Sequence, residues 1–149
     1  MNPDFLSHFL KNHIPWILWG VMIIVLVSIP GDDLPELSES FDLLQPDKLV
    51  HVFLFLVFVF LLQRGFDPPY TNRYARENLY FYTVLTGIIL SGGTEIFQYF
   101  CISGRNTTLK DFLFNTLGCV IGWLIYSFWS KKIHHRFHRL HKFKTDESL

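Results

Sequence analysis

The sequence predicts an all-α, polytopic membrane protein with four transmembrane helices in one bundle. Three observations lead there. Half of the 149 residues are hydrophobic, 16 of the residues are Phe, and the formal net charge is zero. The apolar residues come in long blocks, without the surface period of a soluble domain. Those blocks, at residues 14–29, 49–62 with flanks, 79–101 and 109–129, approach or reach the roughly 20 residues that cross a hydrocarbon core of about 30 Å. Backbone polar groups in lipid must be satisfied internally, and these blocks are too long for barrel strands. One domain over residues 1–149 is expected, its core at about 14–129 and a basic cytoplasmic tail at 130–149.

The first helix is read as retained. Only Lys11 precedes it as a base, and Ser28, Ile29, Pro30 and Gly31 do not form a small-x-small cleavage site. Trp16 and Trp19 at its start, with Trp129 at the end of the fourth helix, suit an interfacial aromatic belt. The second block is short and reaches a plausible span when Asp47–Lys48 and residues 63–66 are added. Asp47 and His51 are four apart and share one helix face, although Asp47 also reads as an N-cap and Lys48 as a snorkelling side chain.

The third helix carries a small-residue run, Gly87, Ser91, Gly92, Gly93 and Thr94, and then Glu95 and Gln98 near its end. In the fourth, Asp111, Asn115, Gly118 and Gly122 form one stripe at i, i+4, i+7 and i+11. Gly118 and Gly122 make a small-xxx-small seam, expected to pack the fourth helix closely on the third. Thr108 to Asp111 also reads as a capping box, which would make Asp111 structural.

Lys and Arg set the orientation. Residues 30–46 hold Asp32, Asp33, Glu36, Glu39 and Asp42 and no base, whereas residues 63–78 hold Arg64, Arg73 and Arg76, and six bases follow Trp129. Both termini are therefore expected in the cytoplasm, with ten bases inside and only Lys48, Arg105 and Lys110 outside. The tail, bases interleaved with Ile133, Phe137, Leu140 and Phe143, suits a topological anchor on an anionic leaflet. His134, His138 and His141 have helical spacing without a closed ligand set. Cys101 and Cys119 give no disulfide framework.

A charge at the bilayer centre costs roughly 2.5–3.5 kcal/mol on insertion scales, so polar residues inside apolar blocks are functional candidates. His51, Glu95 and Asn115 each fall about 5–10 Å from the outer boundary, with Gln98 and Asp111 beside them. The inner halves of helices two to four are read as almost free of such residues, which disfavours ion-coupled transport.

These motifs resemble the VanZ-like family. The match runs through Asp47–Lys48–Leu49–Val50–His51, Glu95–Ile96–Phe97–Gln98, Gly104–Arg105–Asn106–Thr107–Thr108–Leu109–Lys110–Asp111, Asn115–Thr116–Leu117–Gly118 and Gly122. It spans about residues 14–129. The resemblance implies a small integral protein of the bacterial cytoplasmic membrane. Its family namesake accompanies glycopeptide-resistance genes and lowered teicoplanin sensitivity, and no settled biochemical activity comes with it.

Two function classes follow. In the first, Asp47, Lys48, His51, Glu95, Gln98, Arg105, Asp111 and Asn115 form an outward-facing cluster that binds an anionic headgroup or wall precursor, Arg105 serving as a bidentate fork. In the second, a membrane-embedded enzyme acts on a lipid-linked or phosphorylated substrate, with His51, Glu95 and Asp111 as catalytic candidates. No cofactor and no metal is assigned, although His51, Glu95 and Asp111 are compatible with several cations. The expected partners are the bilayer and such a headgroup or precursor, not nucleic acid.

Overall fold

The computed structural model describes residues 3–29, 46–67, 73–102 and 109–146, with the backbone alone at 3–6, 8, 46–47, 73 and 132–146. Four helices follow in order: α1 (Pro3–Val27), α2 (Pro46–Phe66), α3 (Arg73–Cys101) and α4 (Leu109–Asp146). Each contains a stretch long and apolar enough to cross a membrane: Phe9–Val27, Lys48–Phe66, Tyr74–Cys101 and Leu109–Lys131. The chain is an all-α, multi-pass membrane protein.

Helix α2 is the hub. It packs against each of the other three, most extensively against α4. Its buried residues His51, Phe55, Val59 and Gln63 recur every four positions, and Asp67, whose side chain is 5% exposed, follows in step. That spacing sets them along a ridge that winds about 40° per step around the helix. The apolar core is Ile23 and Val27 of α1, Leu54, Phe55, Phe58, Val59 and Leu62 of α2, and Cys119 of α4. Facing outward are bulky apolar side chains such as Leu18, Phe81, Ile89, Phe100 and Phe128, a surface that lipid, not water, would cover.

The bundle has two polar ends. One, the His51 end, brings together the end of α1, the start of α2, the end of α3 and the start of α4. The other, the Asp67 end, joins the start of α1 to the end of α2, the start of α3 and residues 126–130 of α4.

Glycine decides how closely the helices approach, and here the structure corrects an expectation. A Cβ on Gly118 would lie 3.1 Å from both Cα and C of Val52 and closer still to its carbonyl oxygen, and one on Gly122 would meet Leu56 in the same way. The Gly118/Gly122 seam therefore faces the backbone of α2, not α3. On α3 the close approach is at Gly87, where a Cβ would lie 2.6 Å from Val59 Cγ2 and 2.9 Å from Cys119 Sγ. Gly93, in the same small-residue run, has nothing within 4 Å.

Other boundaries also move. Helices α1 and α3 start earlier than their apolar blocks, because helical backbone continues into polar sequence at the membrane edge. Asp47 lies in the first turn of α2, behind Pro46, and not at its cap; Pro suits a first helical position, where its missing N–H costs nothing. The basic tail continues α4 to Asp146. Trp16 packs by Phe66 and Trp129 by Tyr126, both at the Asp67 end. Trp19 instead donates its Nε1–H to Leu54 O at 2.9 Å, inside the bundle.

Candidate functional site

At the His51 end three side chains from three helices form one chain. Asn115 of α4, fully buried, stands in the middle. Its Nδ2 donates to Glu95 Oε1 of α3 at 2.9 Å, and its Oδ1 lies 3.1 Å from His51 Nδ1 of α2. The donor sense follows from chemistry. A carboxylate oxygen accepts, so the amide NH2 faces Glu95 and the amide oxygen faces His51. An amide oxygen can only accept, so His51 carries a proton on Nδ1. Nε2 is then the ring's variable atom, an acceptor in neutral imidazole and a donor in imidazolium.

Burial fits this assignment. His51 is buried and Glu95 half-buried, so each would be costly in lipid without such partners. The close α2–α4 seam puts Asn115, one turn from Gly118, within reach of His51. Of the residues expected to cluster, the structure brings these three into one hydrogen-bonded chain.

The remaining expected members are arranged differently. Gln98, 2% exposed, turns toward α1 and donates from Nε2 to Val27 O at 3.2 Å. Val27 ends α1, where the last four carbonyls have no helical donor, so Gln98 caps α1 from another helix. It is three residues from Glu95, which places it about 60° around the helix. Lys48 holds its ammonium 5.8 Å from the centroid of the Phe114 ring, a cation–π arrangement between α2 and α4. Asp111 is half-buried in the first turn of α4, one turn from Asn115, and Lys110 is exposed. The side chain of Asp47, and Arg105 with the rest of the motif at 103–108, lie outside the described residues, as do the side chains of His134, His138 and His141. Among the described residues no group of three His, Cys, Asp or Glu is arranged to hold a metal.

Sequence reasoning missed a second cluster, at the Asp67 end. Asp67 Oδ2 accepts from Tyr80 OH at 3.1 Å, Tyr126 OH at 3.0 Å and Ser130 Oγ at 3.1 Å. Tyr80 OH and Ser130 Oγ are themselves 3.0 Å apart, and Arg76 Nε lies 3.7 Å from Asp67 Oδ1. Asp67 falls within residues 63–78, the basic connection between the second and third apolar blocks. Its signal was the four-residue recurrence from His51, through Phe55, Val59 and Gln63. With Thr83 also buried, the halves of the helices toward the Asp67 end hold more polar groups than the sequence predicts. Between the two ends Gly87 packs against Val59 and Cys119 with no room for an added methyl at that position.

A family model described as VanZ/LLP1 matches residues 8–130 of the chain. No curated protein and no solved structure gives a match.

Proposed function

Because this chain belongs to the VanZ/LLP1 family, and the motifs by which its sequence resembles that family include His51, Glu95 and Asn115, we propose that it is a cell-envelope membrane protein whose His51 end binds the anionic headgroup of a lipid or lipid-linked wall precursor. The single observation carrying this reading is the Glu95–Asn115–His51 chain. It is a buried polar layer at the mouth of a membrane bundle, with one ring nitrogen whose donor or acceptor role is set by protonation. Lys48 at the start of α2 supplies cationic character to the same end, and Arg105, which precedes α4 in the sequence, is the second cation of the proposal. Arg matches phosphate or carboxylate bidentately.

The excess of Lys and Arg at the other end and in the tail orients the His51 end outward, in a bacterial cytoplasmic membrane with both termini inside. The precursors that teicoplanin recognises lie on that side. A role in glycopeptide sensitivity is therefore part of the proposal, and a deletion strain would show altered teicoplanin susceptibility and altered precursor pools.

The binding test uses purified protein in detergent, native mass spectrometry, and three probes: phosphatidylglycerol, a polyprenyl diphosphate and phosphatidylcholine. Wild type should retain an anionic probe at least about tenfold better than phosphatidylcholine, equivalent to about 1.4 kcal/mol. His51→Ala and Glu95→Gln should lose that preference while staying folded. Equal retention of all three probes by wild type, or unchanged preference in both variants, overturns the reading.

One observation favours a second reading. The carboxylate–amide–imidazole chain orients His51 as a general base or acid would be oriented, with Asn115 in the fixing position. An enzyme acting on a lipid-linked or phosphorylated substrate would then release phosphate from the polyprenyl diphosphate, and His51→Ala would abolish release. Binding without turnover supports the first reading against the second.

A further inference from the structure

The Gly118/Gly122 seam is smooth. Glycines facing the backbone of Val52 and Leu56 bring no side-chain knobs, so this part of the α2–α4 contact permits close approach while leaving sliding along the axis weakly opposed. Packed helices do move by such shear. Polar side chains are a known means of specifying register between helices, and here they stand at both ends of the seam. His51 meets Asn115 at one end, and Asp67 meets Tyr126 and Ser130 at the other.

We infer that the Asp67–Tyr80–Tyr126–Ser130 cluster is a register lock that holds α4, and with it Asn115, in line with His51 at the far end of α2. Asp67 follows His51 by 16 positions, about 24 Å at 1.5 Å per residue. An axial slide of α4 by the rise of one residue would move every contact by about 1.5 Å, which exceeds the tolerance of hydrogen bonds near 3 Å. Both ends would break together. One carboxylate oxygen that accepts from two α4 hydroxyls and one α3 hydroxyl opposes that slip directly. Tyr80 extends the lock to α3, the helix that carries Glu95. Asp67 is thus a positioning residue for the His51 layer, whatever that layer binds.

The test reads His51 itself. Protein labelled with 15N at histidine is placed in lipid nanodiscs, and the His51 resonances are identified as those lost in His51→Ala. The wild type should show a single species with a protonated Nδ1. Asp67→Ala and the gentler Tyr126→Phe/Ser130→Ala double variant should displace or split that signal by more than its linewidth. Ile23→Ala, which truncates the α1–α2 core away from the seam, serves as control. It should lower thermal stability while leaving the His51 signal in place. If Asp67→Ala fails to fold, the double variant decides. An unchanged His51 signal in the double variant overturns the lock, and so does an equal displacement in Ile23→Ala, which would mean that any loss of stability disturbs the layer.

Discussion

Replacing Gly118 by Ala tests the seam and the candidate site in one experiment. The new Cβ would stand 3.1 Å from Val52 Cα and C, whereas ordinary contact begins at 3.4 Å. Those two carbons alone require 3.4 − 3.1 = 0.3 Å of separation, and the Val52 carbonyl oxygen, closer still, requires more. The obstacle is helix backbone, which cannot rotate aside, so α4 must shift away from α2. Overpacking of this kind costs about 1–3 kcal/mol, against which Ala returns about 1 kcal/mol of helix propensity over Gly. The same shift, taken up along the His51–Asn115 contact, lengthens it from 3.1 Å toward about 3.4 Å, beyond the usual range for N–H···O. Thermal unfolding in nanodiscs gives the stability, and the 15N spectrum of His51 gives the contact. Gly122→Ala added to Gly118→Ala should cost less than the sum of the two, because one displacement relieves both clashes. Gly93→Ala, with open space around it, should be neutral or stabilising. If Gly118→Ala were as stable as Gly93→Ala, with an unmoved His51 signal, the packing argument would be refuted.

Three further outcomes are expected. Asn115→Leu, close in volume, removes both the donor to Glu95 and the acceptor for His51, and should cost at least about 1–3 kcal/mol for each buried group deprived of this partner; unfolding within about 0.5 kcal/mol of wild type would mean the layer is not bonded as described. Gln98→Leu strips the donor from Val27 O at the end of α1, so amide exchange at the neighbouring end of α1 should speed up while the α2–α4 seam stays protected. Trp19→Phe should cost only the low end of about 0.5–1.5 kcal/mol, since Leu54 O also serves the α-helical ladder of α2; a loss above about 3 kcal/mol would show that the indole does more than donate one hydrogen bond.

Much of the candidate site was legible because membrane burial makes polar residues conspicuous. His51, Glu95 and Asn115 stood out against Phe, Leu and Ile, and helical rise alone placed them at one depth. Gln98 satisfied the same test and serves elsewhere, since a depth argument fixes height and leaves the angle around the helix open. The Asp67 cluster escaped for the opposite reason. Asp67, Tyr80, Tyr126 and Ser130 sit where apolar blocks give way to polar sequence, and there a carboxylate or a tyrosine looks ordinary.

From its sequence alone the chain is a four-helix membrane bundle, because segment length, apolarity and the need to satisfy backbone groups in lipid are local properties of each block. A glycine pair announces close approach in the same local way, yet a residue with no side chain carries nothing that names its neighbour. Only the tertiary structure settled that Gly118 and Gly122 of α4 pack against α2, that Gln98 reaches α1, and that four hydroxyl and carboxylate side chains meet at the Asp67 end. Those pairings depend on the rotation of each helix about its own axis, and packing against all the others decides that rotation.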